Sequence, residues 1–392
     1  MALKQTIKRI AAVALRECGR LRENRIYLFC MVVFPIVVTI FFTSLMDEGQ
    51  PEEMPIGIVD LDNSATTRKL ARTLDAFQST KIVAHYSNFE EARQAMQRGK
   101  IYGFLYFPAK TTSQLLASRQ PKISFYYSYA SLTAGSLVFR DLKTVATLGS
   151  AGVGSSVMTA KGYTKKQIQT FLQPIAINLH PISNPWVSYN IYLSTMLVPG
   201  CIMLFILLIT AYSLGTELKM NTSRDLLATA GGNIYIAVLG KLLPQTLTFL
   251  AIIYGYFFYI FGVLDFPYPG GIIPIAVLGL LGTVASQGLA LLFFGLFPSL
   301  RMSMSMCSLW GVLSFSLVGS AFPAMAMDTE LQVVSLLFPL RHFFTIYQIS
   351  IFNGFPLTDV ATSMAALAAF ALIPIVILPH VRTVMSKYVY LD

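Results

Sequence analysis

The chain has 392 residues, 55% of them hydrophobic and only 12% charged. Soluble globular chains carry about 25% charged residues, so this composition excludes a fold wetted on all sides. Its net charge of +10 fits the lysine and arginine bias that orients membrane proteins, rather than nucleic-acid binding.

In chain order, the N-terminal stretch places Ile7, Ile10, Ala14, Cys18 and Leu21 at helical spacing, with Lys8, Arg9, Arg16 and Arg20 elsewhere around the helix. This pattern predicts a basic amphipathic helix over residues 1–25, lying on the cytoplasmic membrane face. Crossing a ~30 Å hydrocarbon core takes roughly 20 apolar residues. Six segments qualify: Ile26 to Leu45, Leu193 to Leu214, Leu242 to Leu264, Ile272 to Phe297, Met302 to Met327, and Val360 to Leu378. A further apolar stretch, 333–352, is interrupted by Pro339, Arg341 and His342. A charge at mid-membrane is expensive, so this stretch is expected to re-enter or lie at the interface.

Between the first two spans, residues 46–189 alternate strand and helix patterns. Strands are expected at Ile56 to Val59, Lys81 to Tyr86, Ile101 to Phe107 and Ile123 to Tyr129. Helices are expected after Ser64, over Phe89 to Arg98, and along much of Ser131 to Gly162. Such alternation predicts a small α/β domain. The four cysteines, Cys18, Cys30, Cys201 and Cys307, all lie outside it, so no disulfide staples it. The fold class is therefore an α-helical polytopic membrane protein with six transmembrane helices and an inserted α/β domain, residues 190–392 holding the last five spans. Basic residues in the N-terminal segment, after the second span (Lys219, Arg224) and in the tail (Arg382, Lys387), with none in Asp265 to Gly271, place both termini in the cytoplasm and the insert outside.

The phosphate-binding pattern G-x-x-x-x-G-K-[ST] is absent, so ATP is not bound by that device. The four histidines, His85, His180, His342 and His380, are scattered without metal-ligand or catalytic spacing. The six spans contain no Asp, Glu, Lys or Arg, which disfavours ion-coupled transport. Gly279, Gly282, Ser286 and Gly288 give the fourth span a small-residue face suited to close packing, within the chain or against a second copy. Aromatic residues from Tyr254 to Phe261 crowd the outer end of the third span as an interfacial belt or a substrate lining.

Several local patterns occur in a characteristic order: IGIVDLDNS at Ile56 to Ser64, Asn184-Pro185 before the second span, Pro199-Gly200 within it, ELKMNTSRDLLAT from Glu217 to Thr229, and GKLLP from Gly240 to Pro244. In that order the sequence resembles type-2 ABC transporter permeases of the multidrug and lipid exporter branch, over essentially the whole chain. Lys219, Asn221 and Ala230 depart from the family pattern, standing where an acid, a glycine and a proline are common. The resemblance implies a non-catalytic subunit in a bacterial inner membrane, exporting an amphipathic or hydrophobic compound. It implies ATP and magnesium on a separate ATPase and no cofactor or metal on this chain. A second permease and a periplasmic adaptor are further partners it allows. Asp60, Asp62, Asn63 and Ser64 are the external-domain motif. Glu217, Lys219, Arg224, Asp225, Leu226 and Leu227 are expected to meet the ATPase, leucines supplying affinity and charges register. On that expectation, Glu217→Ala leaves membrane insertion intact. Two other classes remain open: a receptor anchored by its spans, and a lipid transferase using His342 or His380.

Overall fold

The computed structural model describes residues 2–117, 119–175, 180 and 184–387. The chain forms two compact units, one made of Met1–Asp47 with Ser188–Asp392 and the other of Glu48–Val187.

The first unit begins with α1 (Ala2–Glu23). Asn24 ends α1 and caps the next helix, its side chain accepting from the Ile26 amide. That helix, α2 (Arg25–Leu45), is apolar and long enough to cross a membrane. Among the described side chains of α1, Val13 and Glu17 are buried, while Leu3, Ile7, Leu15 and Cys18 are exposed. The buried stripe is shifted round the helix from the apolar one because it carries charge that pairs inside the protein.

The second unit is a four-stranded sheet flanked by helices. Its strands are β1 (Met54–Asp60), β2 (Thr80–His85), β3 (Gly103–Phe107) and β4 (Ser124–Tyr127). They lie in the order β2-β1-β3-β4, the first three parallel and β4 antiparallel to β3. The central strands β1 and β3 are almost wholly buried, as two-sided coverage requires. The helices are α3 (Ala65–Asp75), α4 (Phe89–Gln97), α5 (Thr111–Leu116), α6 (Leu132–Ala160) and α7 (Lys165–Leu172). One face of the sheet packs Ile56, Ile58, Leu105 and Phe107 against Leu74 of α3 and Leu137, Val138 and Leu142 of α6. The other packs Val59 and Phe104 against Ala92 and Ala95 of α4.

The Asp60 to Ser64 motif builds the turn between β1 and α3. Asp60 accepts from the Asp62 and Asn63 amides at 3.0 and 2.8 Å and from the Thr67 hydroxyl at 2.7 Å. Asn63 takes a left-handed conformation, which Asn tolerates better than most residues. Ser64 caps α3 in a reciprocal box with Thr67. Asp62 reaches α5, accepting from the Thr112 amide at 3.1 Å and from its hydroxyl.

The first unit resumes with α8 (Tyr189–Lys219), α9 (Ser223–Thr229), α10 (Ile234–Gly262), α11 (Ile272–Leu296) and α12 (Leu300–Leu317). It ends with two short helices, α13 (Thr329–Ser335) and α14 (Pro339–Ile346), and the long α15 (Ala361–Lys387). Among the described residues, five helices are long and apolar enough to cross a membrane: α2, α8, α10, α11 and the segment Leu357–Ser386 that contains α15. The expected span Met302 to Met327 is corrected: its helix stops at Leu317. Gly319 there has a positive φ of 97°, and the Arg341 guanidinium donates to the Val318 carbonyl at 2.7 Å. Arg341 thus satisfies a helix-end carbonyl, the use a charge among apolar helices requires. His342 bridges the break between α13 and α14, with Nε2 2.9 Å from the Leu336 carbonyl.

The small-residue face of α11 is taken up by the chain itself. A Cβ on Gly279 would lie 2.4 Å from the Tyr254 ring, one on Gly282 2.7 Å from Phe343, and one on Gly288 2.0 Å from the Phe370 carbonyl oxygen. Ser286 donates to the Gly282 carbonyl within the helix. The aromatic belt is corrected in part: Tyr256, Phe257 and Phe261 are buried, and Tyr256 donates to the Ser194 carbonyl at 3.0 Å. Phe258 is 73% exposed and keeps the interfacial reading.

Two tests follow from the second unit. A fragment spanning Glu48–Val187 is expected to melt cooperatively, at the same midpoint with and without reductant. The Thr112 hydroxyl holds the Asp62 carboxyl below the usual carboxylate range, against a smaller opposing effect of burial. A carboxylate with a depressed folded pKa stabilises above its unfolded value of about 3.9, and the gain is lost as pH falls through the folded value. Asp62→Asn should therefore lower the melting midpoint of this fragment at neutral pH. The gap from the wild type should close as pH falls through the folded value; a pH-independent gap would assign the loss to packing.

Candidate functional site

Where α1, α8 and α10 meet, five ionisable side chains form one network. Glu217, in the last turn of α8, and Lys241, two turns into α10, are fully buried, and Glu17 of α1 is 1% exposed. Arg16 grips Glu217 with both terminal nitrogens, at 2.8 and 3.0 Å. Arg20 also pairs with Glu217 and donates to the Thr222 hydroxyl at 2.9 Å. Lys241 bridges the two carboxylates, 2.6 Å from Glu17 and 2.9 Å from Glu217. Gln245 and Ser213 complete the shell of Glu17, donating at 2.8 and 3.0 Å. Three cations thus face two carboxylates, with hydrogen bonds from three helices.

The local sequence explains this convergence. Glu17 follows Ile10 by seven residues and Val13 by four, so it shares the stripe that α1 buries. Glu217 precedes Lys219 and Met220, and Asn221 with φ of 56° turns the chain out of α8. Thr222 is thereby set beside the Glu217 carboxylate, and its hydroxyl donates to it. Asn233 caps α10 by accepting from the Tyr235 amide, and Lys241 follows two turns later. Beneath the network Val13, Leu218, Leu226, Ala230, Ile234, Val381 and Met385 form one apolar cluster.

The residues expected to meet the ATPase divide in two. Lys219, Arg224 and Asp225 are exposed and Leu227 is half-buried. Glu217 and Leu226 are corrected as surface contacts: both are fully buried. Glu217 lies inside because cations from α1 and α10 compensate its charge there. Leu226 lies inside because α9 is too short to have two apolar faces. Ser223 fixes α9 further by donating to the Met385 carbonyl at 2.8 Å. Met220, which the sequence reading passed over, is 67% exposed beside Lys219. The motif at Asp60, Asp62, Asn63 and Ser64 lies in the second unit and is engaged in its turn and cap. Gly279, Gly282, Ser286 and Gly288 belong to helix packing. Arg16, Glu17, Arg20 and Lys241 were missed as a group. Their one signal was Glu17, a glutamate in the buried register of a mostly basic helix.

Among the described residues no three His, Cys, Asp or Glu side chains are grouped to hold a metal. Long apolar helices, packed through glycines and pinned at one end by a buried ion network, define a multi-pass membrane protein whose first helix is tied into its bundle. Residues 25–378 match the model of the ABC-2 family transporter protein. The chain belongs to that family and is the membrane subunit of an ABC transporter, a system with an ATPase partner. No curated protein matches it. The match begins after α1, so Arg16, Glu17 and Arg20 join a preceding helix to the part that carries the family signature.

Breaking a buried ion pair by removing one partner typically costs about 3–5 kcal/mol, because the remaining charge is left uncompensated. Glu217→Ala leaves three cations facing Glu17 alone. It should destabilise the purified chain by about that amount, read as a lowered thermal midpoint and yield in detergent. A wild-type midpoint would show that the network contributes nothing to folding.

Proposed function

We propose that this chain is the permease of an ATP-driven exporter moving an amphipathic or hydrophobic compound out across a bacterial cytoplasmic membrane. Two permeases, identical or paralogous, pair with two ATPase subunits that carry ATP and magnesium. The chain crosses the membrane six times with both termini inside. The sixth crossing is α12, whose 18 residues reach about 27 Å, close to the ~30 Å of the hydrocarbon core. Residues 333–352 re-enter without crossing, and the second unit lies outside, open to a periplasmic adaptor.

The observation that carries this reading is the construction of the α8–α10 connection. Leu226, Ser223 and the Glu217 network anchor it inward. Lys219, Met220, Arg224 and Asp225 face outward. A connection that is charged outside and locked inside transmits a push on its surface to three helices. That suits a subunit driven by a separate ATPase, and an anchored receptor has no need of it.

Met220→Asp combined with Arg224→Glu changes only exposed side chains. It should leave the thermal midpoint unchanged and weaken association with the ATPase. Losing a hot-spot contact costs about 2 kcal/mol or more, so roughly thirtyfold weaker binding is the expected scale, measured by pull-down from lipid. Wild-type association would remove this surface as the docking element, and a chain that binds no ATPase would favour the receptor. For topology, single cysteines at Asn63 and Tyr268 in a cysteine-free chain should react with an impermeant thiol reagent from outside. One at Lys219 should not, and its labelling from that side would overturn the orientation.

A further inference from the structure

The second unit holds a cavity of about 700 Å³, within the roughly 300–1,000 Å³ usual for small-molecule sites. Its floor is Leu105 and Phe107 of β3, and its long wall is α6, from Val145 to Met158. Phe171 and Leu172 of α7 stand along its edge. Phe171 is 72% exposed although it belongs to the lining. Glycines let Leu70 and Leu172 close against the wall. A Cβ on Gly149 would lie 2.6 Å from Leu70 Cδ2, and one on Gly154 2.9 Å from Leu172 Cδ2. Among the described lining residues the charged ones are Arg119 and Lys161, both exposed, and no carboxylate accompanies them.

We infer that this cavity binds an anionic amphiphile with a single acyl chain. The chain lies along α6 against valines and leucines, and the acidic head group meets Arg119 and Lys161. Apolar walls gain from burying methylenes, and the two cations offer charge-assisted hydrogen bonds that a neutral head group cannot match. A cavity of this size holds one chain, whereas a two-chain phospholipid with its glycerol exceeds it. The inference rests on the second unit alone and stands whether or not the chain exports anything.

The test uses the full-length chain in phosphatidylcholine nanodiscs, photolabelled with a diazirine derivative of palmitic acid and mapped by mass spectrometry. Membrane helices will label in every sample and serve as the internal control. Label is expected on the peptides covering 145–158 and 171–172. Palmitate should displace it there at least about tenfold better than hexadecanol, as charge-assisted hydrogen bonds worth roughly 1.5–3 kcal/mol imply. Arg119→Glu with Lys161→Glu, both on the surface, should cut this labelling by a similar factor, and Val153→Trp should block it by filling the cavity. Labelling confined to the membrane helices, equal displacement by hexadecanol, or unchanged labelling in both variants would overturn the assignment. Displacement by phosphatidylglycerol as strong as by palmitate would overturn the single-chain ligand.

Discussion

Glu217 is a carboxylate with no access to water at the end of a long apolar helix, and much of the first unit is arranged around that one buried charge. An isolated carboxylate in such surroundings is strongly disfavoured. It persists because Arg16, Arg20, Lys241 and Thr222 donate to it from α1, α10 and the turn after α8. Each partner is tied in turn. Lys241 also holds Glu17, and Glu17 is held by Gln245 and Ser213. Three helices are thus locked in register at one end by directional bonds, where apolar packing alone would permit sliding.

Elsewhere in the unit a different rule holds. Glycines let backbones approach, as at Gly288 of α11 against Phe370 of α15, and each helix-end carbonyl must still find a donor. Arg341 supplies one to Val318 and so sets where α12 stops. The stretch 333–352 carries Pro339, Arg341 and His342 because each satisfies or terminates a neighbouring element. One end of the bundle is fixed by charge and the rest by close packing, an asymmetry suited to a subunit pushed from one side.

Much of the fold was legible in the sequence, for identifiable reasons. Apolar runs about 20 residues long have few readings but membrane helices, and the α8, α10, α11 and α15 cores lie where hydropathy put them. In the second unit, the strand-like runs Ile56 to Val59 and Ile101 to Phe107 match β1 and β3 to within two residues of their ends. Legibility failed where partners come from distant segments. Glu217 and Arg16 are 201 residues apart, and no local pattern says that they meet. Charge was read as solvated on α1 because that is its usual fate, and Leu226 was read as a surface anchor because its companion segment from α15 could not be known. Met325, 96% exposed after α12 breaks, lay in a run whose hydropathy alone suggested a span.

The family match covers residues 25–378, while α1 lies outside it. Whether α1 moves with the α8–α10 connection therefore depends on the ion network. Glu17→Gln combined with Lys241→Met removes one cation and one anion together, keeping net charge and most packing; such replacements of a buried pair are often neutral for stability. The decisive measurement is ATP hydrolysis by the assembled complex in lipid, with and without this double substitution. If the network links the proposed docking surface to α10, the ATPase stays bound while hydrolysis falls at least about tenfold, a loss of roughly 1.4 kcal/mol in the driven step. Wild-type hydrolysis in a complex that has lost the Lys241 bridge would contradict that linkage.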